Sequence, residues 1–219
     1  MHPPNPSAAR AVSRTAAVTT AALLLTATAG TAAAEPAAPP AAGATATAVA
    51  AVAFSDGGFE SPVVPAPTPF TDYLGGQTFG PWTVGGDSAD LTYDRLWDVA
   101  EGHQSLDLNG STTGSVSQTF PVAPLTTYLV TFKLAGNPVW APALKTGQVR
   151  VNGTTVLDFA FDISGHGLRS MGYVEQTTAF TNLLGTSATL TFASTTPGYG
   201  GPVIDDVKVR SCLLVLCLP

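Results

Sequence analysis

The chain has 219 residues, of which 9 are Lys or Arg and 15 are Asp or Glu, for a formal net charge of −6. Phosphate contacts require a basic patch, and no cluster of Lys and Arg supplies one, so a nucleic-acid partner is excluded; no apolar run reaches the roughly 18 residues of a membrane-spanning helix. Charged residues are 11 % of the chain, under half the usual ~25 %, so the surface is built from Thr, Ser, Gly and Ala and can meet neutral, hydroxyl-rich ligands without ion pairs.

Residues 1–34 read as a secretory leader. Arg10 and Arg14 give a weakly positive start, Ala16 to Gly30 form an apolar stretch around Leu23-Leu24-Leu25, and Ala32-Ala33-Ala34 offers small residues for cleavage before Glu35. From 35 to 53 the chain is Ala, Pro, Thr and Gly without periodicity. Such a segment cannot bury enough apolar area to offset chain entropy and reads as a linker.

Between 54 and 210 the pattern changes to short alternating runs punctuated by Gly, Pro and Asn, the signature of an all-β domain. Predicted strands cover Ser105–Leu108, Ser115–Phe120 and Thr127–Leu134. Val149 and Val151 then lead into Asn152-Gly153, with Val156–Phe161 beyond it. Asn-Gly between apolar runs predicts a tight hairpin. Tyr173–Phe180, Ala188–Phe192 and Val203–Val209 complete the set. Eight or more strands in one domain predict a two-sheet sandwich. In the tail, 211–219, Cys212 and Cys217 are expected to pair locally if the protein is exported; two free or intermolecular thiols are the alternative. The tail shows no lipid signal.

Catalytic motifs are scarce. His103 and His166 are not in a metal-binding spacing, and no G-x-S-x-G elbow occurs. Asp90, Asp94, Asp98 and Glu101 are close enough in sequence to suggest a glycosidase carboxylate pair, but read more simply as loop and turn acids, so no catalytic residue is assigned. Asn109-Gly110-Ser111 and Asn152-Gly153-Thr154 match the glycosylation sequon and are equally plain turns.

One position breaks the binary pattern. In Val203–Val209, strict alternation puts Asp205 on the face of Val203, Val207 and Val209, where a carboxylate must be neutralised, paired or bound to a cation. Glu60, in Gly57-Gly58-Phe59-Glu60, is the candidate partner. Two carboxylates with backbone carbonyls suit Ca²⁺; the alternative is that Asp205 accepts backbone amides at a strand end.

Gly57-Gly-Phe-Glu-Ser-Pro-Val63, Pro81-Trp-Thr-Val84, Ala89-Asp-Leu91, Gln104-Ser-Leu-Asp-Leu-Asn-Gly110, Ser117-Gln-Thr-Phe120, Tyr128-Leu-Val-Thr-Phe-Lys-Leu-Ala-Gly-Asn-Pro138, Met171-Gly-Tyr173 and Tyr199-Gly-Gly-Pro-Val-Ile-Asp-Asp-Val207 fall in this order. Together they resemble the family called domain of unknown function 642, whose bacterial members are also called choice-of-anchor C proteins. The resemblance implies a galactose-binding-like jelly-roll β-sandwich of two antiparallel sheets, secreted and wall-associated, with relatives regarded as polysaccharide binders. It also implies a structural calcium held by Glu60 and Asp205, with the Gly58 carbonyl contributing. The chain departs from the family's usual pattern at Trp82, which follows Pro rather than Gly, at Tyr173, where Trp is usual, and at Asp206, often Asn.

Sugar recognition pairs aromatic faces with side-chain amides and carboxylates. The candidates are loop aromatics with polar neighbours: Trp97 with Asp94, Arg95 and Asp98, and Trp140 with Asn137. Tyr73 and Tyr199 are weaker candidates, and Trp82 reads as core. The expected function is an exported, non-catalytic, monomeric module that binds cell-wall or extracellular polysaccharide. The alternatives are a secreted protein that binds another wall protein and an unrecognised hydrolase or lyase.

Overall fold

Tyr128, Val130, Phe132 and Leu134 recur at every second position, a spacing that puts all four on one face of an extended chain. In the computed structural model, which describes residues 52–212, these side chains are at most 3 % exposed. They lie on one long strand, Thr126–Gly136. The strands are β1 (Phe70–Leu74), β2 (Thr78–Phe79), β3 (Trp82–Gly86), β4 (Ser88–Tyr93), β5 (Gln104–Asp107), β6 (Gly114–Pro121), β7 (Thr126–Gly136), β8 (Leu144–Val151), β9 (Thr154–Asp162), β10 (Val174–Asn182), β11 (Ser187–Ser194) and β12 (Pro202–Cys212).

Two antiparallel six-stranded sheets result, in the orders β1-β4-β5-β12-β7-β10 and β2-β3-β6-β11-β8-β9. The fold is the expected jelly-roll β-sandwich. Between the sheets lie Trp82, Leu91, Leu106, Phe120, Phe132 and Phe192, with Phe132 and Phe192 meeting edge to face at 5.0 Å. Trp82 is core as expected, its indole N–H donating to the Asp56 carbonyl at 2.9 Å. The Asn152-Gly153 hairpin joins β8 and β9, both residues at positive φ. β1 to β4 were not expected, because each carries only one to three apolar residues diluted by Gly, Ser, Thr and Asp.

The ends of the domain meet. The Val207 amide donates to the Gly57 carbonyl at 2.9 Å. Any side chain at Gly57 would put its Cβ 1.9 Å from the Val207 carbonyl oxygen, so this contact requires glycine. The alternation expected through β12 does not hold. Asp205 pairs with Lys133 and Lys208 with Thr131, so β12 has one residue more than β7 across this interval. This bulge, with Asp206 at φ 51°, moves Val207 and Val209 to the core face while Asp205 stays on the outer face with Lys133. Asp205 is nevertheless fully buried. Its Oδ2 accepts the amides of Ala100 and Glu101, and its Oδ1 accepts that of Asp206.

The leader (1–34), nearly all of the linker (35–53) and Cys217 lie outside the described residues, so the pairing expected for Cys212 does too. Among the described residues no helix is long and apolar enough to cross a membrane.

Candidate functional site

The outer face of the first sheet carries an unusual row. Asp72 stands opposite Asp90 in the β1–β4 register, and Asp90 stands opposite Asp107 in the β4–β5 register. Ala89, Leu91 and Leu106, their neighbours along the strands, are fully buried in the core, so alternation turns the three carboxylates the other way. A cleft of about 400 Å³ opens over this row, lined by Phe70, Asp72, Asp90 and Thr92 from the strands and by Asn109, Asn137, Trp140 and Tyr199 from three loops.

Those loops follow β5, follow β7 and precede β12, and one carboxylate gathers all three. Asp107 accepts the Asn109 amide at 2.9 Å, the Asn137 side-chain amide at 2.8 Å and the Gly201 amide at 2.8 Å. Burial pushes Asp107 up to about 6, opposed by these hydrogen bonds and by Lys145. Lys145, fully buried, reaches over from β8 of the other sheet and donates to the carbonyls of Trp140 and Gly200 at 2.6 and 2.7 Å. Burial lowers its pKa, and Asp107 counteracts the shift.

The lip is aromatic. Trp140 and Tyr199 are 51 % and 57 % exposed, their rings 5.5 Å apart and inclined at 41°. Gly200, at φ 65°, permits this approach, since a Cβ there would lie 2.8 Å from both Trp140 Cδ1 and Asn137 Cγ. Two of the lining residues, Asp90 and Asn109, each have a buried Oδ1 without a hydrogen-bond partner among the described residues. Burial, then the charges of Asp107 and Asp72, hold Asp90 well above the ordinary carboxylate range.

Two of the expected ligand residues, Trp140 and Asn137, meet in this cleft. Trp97 also lines it, but as a buried ring: it is 2 % exposed, with its indole N–H donating to Ser105 Oγ at 2.9 Å. It is part of the scaffold rather than a presented aromatic. Asp94, Arg95 and Asp98 are not among the lining residues. Asp94 bonds His103 at 2.7 Å, Asp98 pairs with Arg169 at 3.4 Å, and Arg95 lies over the Tyr93 ring while donating to the carbonyls of Val64, Pro65 and Thr68. Asn109, one of the two sequon asparagines, is 1 % exposed. Asp72, Asp107, Phe70 and Lys145 were missed. Only Asp107 had a signal, since Leu106 and Leu108 on either side mark the inward face.

Glu60 and Asp205 are tied to one loop. Glu60 Oε1 accepts the amides of His103 and Gln104 at 2.7 and 2.8 Å, a few residues beyond the two amides that Asp205 holds. Among the described residues no three His, Cys, Asp or Glu side chains converge as a metal-ligating group. A hard cation here would draw on Glu60 Oε2, which accepts no hydrogen bond among the described residues, on Asp205 Oδ1 and on carbonyls such as that of Gly58; donors of this type suit calcium.

Residues 52–210 match the family described as protein of unknown function (DUF642). The chain belongs to the DUF642 family. No curated protein matches it. Solved structures similar to this DUF642 chain include a family 35 carbohydrate-binding module from Paenibacillus barcinonensis (22 % identity over 64 % of this chain and 97 % of that one, TM-score 0.41). Another is a family 35 module from Clostridium thermocellum (17 %, 65 % and 98 %, TM-score 0.44). A third is TmCBM61 in complex with β-1,4-galactotriose (14 %, 59 % and 87 %, TM-score 0.45).

Proposed function

We propose that this DUF642 domain is a non-catalytic module that binds extracellular polysaccharide in the cleft on its first sheet. The observation that carries the reading is the Trp140–Tyr199 pair: two neighbouring rings, each more than half exposed, fixed beside acceptors that have no partner. Exposed rings can cover the C–H face of a sugar, and the acceptors Asp72, Asp90 and Asn109 can take its hydroxyl protons.

Asp72 and Asp90, the first two carboxylates of the row, stand directly opposite one another in the β1–β4 register. Asp107, the third, is fully engaged in anchoring loops.

Export on residues 1–34 and a place in or near a cell wall belong to the same proposal, as does a calcium ion held by Glu60, Asp205 and the Gly58 carbonyl. That ion would supply positive charge to a buried carboxylate. Retention of the purified domain on cellulose, chitin or peptidoglycan, or retardation in gels containing soluble glycans, tests the binding reading; passage through all of them rejects it. N-terminal sequencing of protein recovered from culture medium, expected to begin near Glu35, tests export.

A further inference from the structure

We infer that the glycan recognised by this cleft carries free amino groups, as in deacetylated amino-sugar polymers; the inference rests on the sugar-binding reading and specifies its ligand.

Three observations point there. First, Asp72, Asp90 and Asp107 are successive register partners on one face, and like charges placed directly opposite across strands are destabilising. Second, among the described residues no Lys, Arg or His lines the cleft. Lys145, whose charge acts on Asp107, is fully buried and directed at the Trp140 and Gly200 carbonyls, so among the described residues Asp72 and Asp90 have no ion-pair partner. Third, two of the lining residues carry a buried, unbonded acceptor: Asp90 Oδ1 and the Oδ1 of Asn109, a residue only 1 % exposed.

A ligand ammonium answers all three. It carries three donors and one positive charge, which matches carboxyl acceptors and removes the repulsion along the row. The rings of Trp140 and Tyr199 at the lip attract a cation through their faces as well as packing on a sugar. A uronic acid would place a further carboxylate against this row, and a neutral sugar would leave its charge uncompensated.

Isothermal titration calorimetry tests this with three oligosaccharides of equal length: a fully deacetylated glucosamine oligomer, its N-acetylated counterpart and a cello-oligosaccharide. The glucosamine oligomer is expected to bind at least ten-fold more tightly than the other two. Added salt should shrink that margin, and Asp72→Asn with Asp90→Asn should abolish it. The salt series uses the unaltered protein and so reads the charge contribution even if the variant does not fold. Equal binding of all three, or a margin insensitive to salt, overturns the amine inference and leaves the sugar reading intact. Tighter binding of penta-lysine than of the glucosamine oligomer overturns it in favour of a peptide. Failure to bind any oligosaccharide removes both readings.

Discussion

The carboxyl of Asp90 lies directly across β1–β4 from that of Asp72, with its Oδ1 buried and unbonded. A fold that needed only stability would not keep two acids there, and the same row continues to Asp107. Costly placement of charge inside a cleft is characteristic of functional sites.

The buried acids set the pH dependence of stability. Burial raises Asp107 to about 6, and raises Asp90 in the same direction. An acid whose folded value exceeds its unfolded value of about 4 holds a native-state proton that the unfolded chain has lost. Its stabilisation is complete below pH 4 and fades as pH rises through the folded value, by at most about 1.4 kcal/mol per pH unit for each proton. The melting temperature should therefore fall between pH 5 and pH 8, and Asp90→Asn should flatten the decline. A domain more stable at pH 8 than at pH 5 contradicts this.

Lys145 and Asp107 hold the cleft loops from beneath. Lys145→Met removes two buried donors and the charge facing Asp107, and breaking such a pair costs roughly 3–5 kcal/mol. Urea unfolding should register that loss. A change below about 1 kcal/mol would mean that the loops are held by other contacts.

Trp97 and Trp140 separate structure from binding. Trp97→Ala empties a fully packed site and should cost roughly 3–5 kcal/mol. Trp140→Ala alters a half-exposed ring and should stay within about 1 kcal/mol. Comparable losses in the two variants would place Trp140 in the scaffold.

If calcium occupies the Glu60–Asp205 junction, it stabilises the native state by mass action, about 2.7 kcal/mol at a hundred times its dissociation constant. Excess chelator should lower the melting temperature by several degrees, and calcium should restore it. An unchanged melt, with no calcium by elemental analysis, removes the ion and leaves the backbone amides as the neutralising groups.

The long strands were legible because Tyr128, Val130, Phe132 and Leu134, or Val149 and Val151 before Asn152-Gly153, repeat with period two and end on turn residues. β1 to β4 were not, since a two- to six-residue strand with one to three apolar positions has no such run. The site was legible only in part. Trp140 and Asn137 sit in one loop and could be paired by eye. The Asp72–Asp90–Asp107 row depends on the register of three strands, the first two separated by β2 and β3 of the other sheet and the last two by a long loop, which no local pattern encodes. Asp205 shows the same limit from the other side: alternation located it as anomalous, but one bulged residue reversed the faces of everything after it.

The most direct measurement is the affinity of a Trp140→Ala, Tyr199→Ala variant for whichever glycan retains the unaltered domain. Binding at least ten-fold weaker, about 1.4 kcal/mol, with the melting temperature preserved is the predicted result. Undiminished binding by a correctly folded variant would contradict a glycan site at this cleft.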